Sequence, residues 1–128
     1  SWNDLDFILK DWEGGVMLKG MQSVRDAEKA VEVLMKDGGE GLSSIIMVRL
    51  YIHLRSNKKN LHVLFDSGIK MGSDIVKAVM LGADAVLIGR PYVYASILGG
   101  QAGVEQVIKH FLADLEITMG LSGWNSLD

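Results

Sequence analysis

The chain contains no cysteine among its 128 residues. Neither a disulfide framework nor a thiolate metal site can therefore be built from it. No apolar run reaches the ~18 residues of a membrane span, so no membrane association is expected. The opening SWNDLDFILKDW has neither a basic start nor an apolar signal core, so no targeting peptide is expected, and the expected location is cytoplasmic. Net charge is -3, which leaves no basic footprint for nucleic acid. What is present is the composition of a soluble globular chain, 48% apolar and 23% charged. The length suits one domain over 1–128 with a real core.

Hydrophobic spacing divides the chain into alternating elements. A short helix runs through Leu5, Ile8 and Leu9, with Asn3 and Asp4 as expected caps. Residues 16–20, VMLKG, read as a buried strand. Ser23 caps a helix carrying Val24, Ala27, Val31 and Leu34 on one face. Residues 36–41 form a loop and 56–60 a polar turn. Between them, 42–56 is nearly continuously apolar. Periodicity cannot separate buried helix from strand in such a run, and the expectation adopted is helix. Residues 61–65, LHVLF, are a second buried strand. Ser73 or Asp74 caps the following helix, whose apolar face holds Ile75, Val76 and Val79, and Gly82 stops it. Residues 85–89, AVLIG, form a third strand, followed at once by the sole proline, Pro91. A short helix is expected over 92–98, a loop at 99–103, and a last helix over about 102–119. That helix places Val104, Val107, Ile108, Phe111, Leu112 and Leu115 at helical spacing and ends at Gly120. The tail 121–128 belongs to the surface. Trp2 and Trp12 are expected to pack the first helix, and the seven methionines to fill the core.

Strand–helix alternation with continuous apolar strands implies an α/β fold with a parallel, helix-covered sheet. Ligands in such folds sit at the carboxyl ends of the strands. The unusual residues of this chain gather there. They are Lys19 in the first strand end, Asp66-Ser67-Gly68-Ile69-Lys70 after the second, and Gly89-Arg90 after the third. Two consecutive strands thus end in a glycine and a cation. Glycine lets backbone N–H groups approach an anion, and a helix N-terminus adds positive potential. One reading is a phosphate held between the two strand ends. The other is that Gly68 and Gly89 serve turn geometry and that the cations are solvated. Lys19 likewise either snorkels to the surface or points into a barrel mouth. The three histidines, His53, His62 and His110, are scattered without ligand spacing, so no metal site is expected.

The segments VMLKG, VLFDSGIKMGSDIVKAVMLGADAVLIGRPYVYA and LADLEITMGLSG resemble the FMN-dependent 2-hydroxy acid oxidoreductases, nearest the lactate monooxygenase and lactate oxidase group. The resemblance covers 1 to about 35 and about 61 to 128. It implies a partial TIM (β/α)8 barrel, the C-terminal part of a fold of about 250 residues. It also implies FMN as cofactor, a small 2-hydroxy acid as the family's substrate, and room for a homo-oligomer. By the same resemblance Lys19 would lie beside the flavin pyrimidine edge, where positive charge favours the reduced flavin. Asp66 would bind ribityl hydroxyls. Ser67, Gly68, Ile69 and Lys70 would form the phosphate loop, and Gly89 with Arg90 would complete it. The family usually has arginine at the position of Lys70, and lysine forgoes the bidentate fork.

One family feature is missing. A His-Gly-Gly-Arg motif, whose histidine is the base and whose arginine clamps the substrate carboxylate, does not occur in this sequence. The separation from Lys19 to Asp66 is shorter than the family's usual one. The expectation is therefore that one strand and its motif have been deleted, with the loop at 36–41 joined directly to the preceding helix. Arg49, His53 and Arg55 are expected on the outside of the barrel, and neither His62 nor His110 stands where a base is needed. No catalytic residue is assigned. The resemblance makes the chain part of an oxidoreductase, expected to be inactive alone; the alternative is a non-catalytic fragment that binds FMN, another phosphate or a partner.

Overall fold

A computed structural model describes residues 2–12, 15–34, 42–47 and 62–127, with 42–47 described through its backbone. The expected loop at 36–41, the turn at 56–60, and Arg49, His53 and Arg55 lie outside these residues. In chain order the elements are α1 (Asn3–Asp11), β1 (Val16–Met21), α2 (Val24–Leu34), β2 (Leu42–Met47), β3 (His62–Asp66), α3 (Gly72–Met80), β4 (Ala85–Leu87) and α4 (Arg90–Ser122). Among the described residues the strands form one parallel sheet in the order β1-β2-β3-β4.

β2 corrects the helix expected over 42–56. Leu42–Met47 pairs with β1 on one side and β3 on the other. Hydrogen-bonding strands stand about 4.8 Å apart. Without a strand here β1 and β3 would face each other across an unpaired gap, with two rows of backbone donors and acceptors unsatisfied. Tertiary pairing therefore decides what local periodicity leaves open. It also changes the form of the expected deletion: the sheet position is filled, and what the sequence lacks there is the motif.

Alternation sorts side chains between the two faces of the sheet. Leu18 and Val63 pack with Ala27, Ala30 and Val31 of α2, joined by Trp2 and Leu5 of the α1 region. Phe65, Val86 and Ile88 pack on Ile69, Ala78, Ala83 and Phe111. Lys19 and Asp66 alternate with these residues and take the opposite face. An irregularity between Lys19 and Met21 leaves Gly20 outside the register, at φ 97°. This bulge resets the alternation, so Met21 rejoins the helix-covered face while Lys19 stays on the other.

The helix boundaries follow their caps. Ser23 caps α2 as expected: its Oγ accepts the Asp26 N–H at 3.1 Å and donates to the Asp26 carboxylate at 2.8 Å. Asn3 and Asp4 fall inside the first turn of α1, whose cap position is Trp2. Ser73 and Asp74 also fall inside their helix, because α3 already begins at Gly72. Gly82, at φ 100°, follows α3 as expected.

The two helices expected at the end of the chain are both present within α4, separated at Gly100 (φ 54°, ψ -140°), and a Cβ on Gly103 would overlap the Ala95 carbonyl, so the second helix packs back on the first. The break is one non-helical glycine rather than the longer loop expected. α4 passes Gly120 and stops at Gly123. There the Gly123 N–H donates to Gly120 O at 3.2 Å and the Trp124 N–H to Met119 O at 2.9 Å, a Schellman closure. Only part of its expected apolar face is covered. Phe111 is buried and Val107 packs beside it, whereas Ile108 and Leu112 are each 52% exposed. Trp12, Met17, Met71 and Met80 are exposed as well, against the expectation that they pack.

Two close approaches fix α3 on its surroundings. A Cβ on Gly72 would overlap the backbone of Leu115 and Phe111, so α3 meets α4 at a point only glycine fits. The Asp84 carboxylate accepts the Val63 N–H at 2.8 Å, and the Asp84 N–H donates to Val63 O at 2.8 Å, tying the α3–β4 turn to the start of β3. No helix among the described residues is long and apolar enough to cross a membrane.

Candidate functional site

A cleft of about 550 Å³ opens at the carboxyl ends of β3 and β4. Asp66, Ser67, Gly68, Ile69 and Lys70 line one side, and Gly89 and Arg90 the other. Seven of the eight residues singled out from the sequence thus share one cavity. The eighth, Lys19, joins them through an ion pair, its Nζ standing 3.1 Å from Asp66 Oδ2. β1 and β3 are separated by β2, so Lys19 reaches over a whole strand to make this contact. Both side chains therefore lie over the sheet face that carries no helix among the described residues. The lysine side chain is 66% exposed. Such a pair is worth at most about 1 kcal/mol, which leaves both groups free to turn to a ligand at little cost.

The loop after β3 is shaped by its backbone. Ser67 (φ 80°) and Gly68 (φ 85°) are consecutive left-handed residues. Glycine takes this conformation freely, whereas serine pays roughly 1 kcal/mol or more for it. Ile69 is 5% exposed and locked into the core with Ala78 and Phe111, which anchors the loop from beneath. The Lys70 N–H donates to Asp74 Oδ2 at 3.1 Å.

The two helix N-termini near the cleft are not equivalent. That of α3 is already supplied with carboxylates. Asp74 takes the Lys70 N–H, and Asp114 of α4 accepts the Ser73 N–H at 2.8 Å. That of α4 has no acidic residue in its first turn and no side-chain cap at Gly89. Gly89, Arg90 and Pro91 of this terminus line the cleft, so its positive end faces the cavity. A Cβ placed on Gly68 or Gly89 would meet nothing within 4 Å, which leaves the backbone open to a close-approaching group.

Charge follows the same pattern. Among the described residues Lys19, Lys29, Lys77 and Lys109 each pair with an acid. Lys70 and Arg90 pair with none of the described residues, and both line the cleft. The cavity thus holds two cations without an ion-pair partner among the described residues, open backbone at two glycines and one helix N-terminus. That donor set suits a dianionic phosphate ester. Three lining residues were not singled out as site residues from the sequence, Leu87, Pro91 and Tyr94. The signals existed: Leu87 is two residues from Gly89 on β4's strand end, and Tyr94 is four residues from Arg90 on the same helix face.

The remaining candidates stand elsewhere. His62 is exposed at the start of β3, the end away from the cleft. His110 contacts the Gln106 side-chain amide at 2.8 Å on the exposed surface of α4. No cluster of three metal-ligating residues occurs among the described residues.

Comparison with known proteins agrees with the fold. The family model of the FMN-dependent dehydrogenases matches residues 1–128, and the chain belongs to that family. An FMN-dependent alpha-hydroxy acid dehydrogenase of Schizosaccharomyces pombe is 47% identical over 96% of this chain and 32% of its own length. A Penicillium citrinum protein of the same description is 37% identical over 99% of this chain and 34% of its own. An L-lactate dehydrogenase of Pseudomonas putida is 36% identical, over 99% and 35%. The structure of mandelate oxidase with benzoyl-formic acid superposes with a TM-score of 0.77 at 30% identity, covering 99% of this chain and 40% of that one. The chain therefore spans about a third of the length of the curated relatives it matches. Its fold is part of a (β/α)8 barrel, and its family's cofactor is FMN.

Proposed function

We propose that this chain is the FMN-holding part of a 2-hydroxy acid oxidoreductase, and that the cleft at the ends of β3 and β4 grips the phosphate of the flavin nucleotide. One observation carries the reading. Lys70 and Arg90 pair with none of the described residues and line one cavity, Lys70 two residues from the open Gly68 and Arg90 beside the open Gly89. In this reading Arg90 supplies a guanidinium fork and Lys70 a point charge, while Gly68 and Gly89 leave room for backbone donors. Asp66 turns to the ribityl hydroxyls, and Lys19, released from Asp66, offers its charge to the flavin ring. Bound FMN supplies a two-electron acceptor.

The relatives' alpha-hydroxy acid chemistry supports a 2-hydroxy acid substrate, which this reading takes to be lactate-like. The sequence has no His-Gly-Gly-Arg run to provide a base and a carboxylate clamp. We infer that the 128 residues act as one domain that binds FMN without oxidising the hydroxy acid alone.

A visible spectrum of the chain with FMN, recorded before and after anaerobic L-lactate, tests both parts. A protein-retained, shifted flavin band that survives lactate is the expected result. Bleaching of that band would refute the inactive part of the reading. A flavin that passes freely through a desalting column would refute the binding part.

A further inference from the structure

Asp74 lies outside the cleft, yet it touches the loop that forms one wall of it. Both of its oxygens are engaged. Oδ2 accepts the Lys70 N–H at 3.1 Å, and Oδ1 lies 3.5 Å from Lys77 Nζ. The Asp74 N–H donates to Met71 O at 3.1 Å, which closes the first turn of α3 onto the same loop. Resting on the FMN reading above, we propose that Asp74 is a positioning residue for the phosphate grip, holding the Ser67–Lys70 loop in its anion-accepting shape without contacting the ligand.

Three features support this role. First, Ser67 and Gly68 are both left-handed, and the serine is strained there. A strained segment persists only where its surroundings hold it. Ile69 secures the loop at its centre by burial, and the Lys70–Asp74 bond secures its far end. Second, the Lys70 N–H is spent on Asp74, so Lys70 has its side-chain ammonium left to offer a phosphate. Third, an unpaired carboxylate so near the cleft would repel a phosphate, and Lys77 sits on its other oxygen to offset that charge. In agreement, the Lys70 N–H, with Lys77 adding to it, holds the Asp74 carboxyl below its ordinary value. An ordinary helix cap would make the same hydrogen bond but would leave ligand choice untouched.

The test compares FMN with riboflavin, which lacks the phosphate, by flavin fluorescence titration of the full chain and its D74A and D74N variants. The asparagine keeps an acceptor for the Lys70 N–H and loses the charge, so it is the milder change. Thermal melts of each protein are recorded alongside. The expected result is a loss of FMN affinity of about ten-fold in D74A, less in D74N, with riboflavin affinity within about two-fold of the parent in both. Equal losses for the two flavins, or a lower melting temperature with the FMN-to-riboflavin ratio unchanged, would overturn the proposal and leave Asp74 a structural cap. Should D74A fail to fold, the ratio in D74N decides alone. If the parent chain binds FMN no better than riboflavin, the phosphate-grip reading fails and this proposal with it; a parent that discriminates while the ratio stays fixed in the variants fails this proposal only.

Discussion

The two ends of the sheet are built alike and equipped differently. At the β1 end, α2 packs Ala27, Ala30 and Val31 onto Leu18 and Val63, and the only unusual strand-end residue, Lys19, is paired with Asp66. At the β4 end, α3 and α4 pack Ala78 and Phe111 onto Phe65 and Val86, and the strand ends carry open glycines and cations that pair with none of the described residues. On α2 Lys29 stands 3.4 Å from Glu32, with both side chains largely exposed. Packing alone therefore does not distinguish the binding end from the other. What distinguishes it is that the two neighbouring strand ends each carry a cation, Lys70 and Arg90, that pairs with none of the described residues.

Substitutions can break this contrast, beginning with the most damaging. Gly72→Ala drives a Cβ into the α4 backbone and should cost about 3 kcal/mol or more, seen as a lower midpoint in urea unfolding. Arg90→Ala removes a cation from the cleft without touching the core. Flavin titration should show FMN affinity falling roughly ten- to hundred-fold, equivalent to about 1.5–3 kcal/mol, with the urea midpoint nearly unchanged. Gly89→Ala sharpens the comparison further, because the added methyl meets no protein atom within 4 Å. It should spare stability and weaken FMN about ten-fold by standing where the phosphate approaches.

Acid titration probes the loop. Asp74 in the folded chain holds its proton less tightly than in the unfolded chain, chiefly because the Lys70 N–H donates to it. Its stabilising contribution is thus complete above the ordinary aspartate range, near pH ~4. It is lost as pH falls through the lowered native value. Urea midpoints measured across that range should fall more steeply for the parent than for D74A. At the β1 end, Lys29→Ala should change stability by less than about 0.5 kcal/mol and leave FMN binding alone. A large effect there would erase the distinction between the two ends.

Much of the site was readable in the sequence because it is local. Asp66 to Lys70 and Gly89-Arg90 follow continuous apolar strands, and a parallel sheet brings consecutive strand ends together. β2 was not readable, since Leu42–Met47 is a strand only by virtue of neighbours on both sides. The break between the two helices of α4 was readable at Gly99-Gly100, and in the structure it narrows to Gly100, which alone leaves helical geometry. The role of Asp74 was hidden too, because a carboxylate near a helix start reads as a cap, and its partner at Lys70 becomes evident only in the folded turn.

The bond from Ser73 to Asp114 joins residues 41 positions apart. A chain emerging from the ribosome at about 5–20 residues per second completes β3 and the anion loop seconds before Asp114 exists. Until then α3 begins without its carboxylate from α4, and Gly72 has no Leu115 backbone to rest on. The loop over residues 67–70 is therefore among the last parts of the chain to take shape during synthesis. Flavin capture before the final helix has formed would meet a loop that is not yet set.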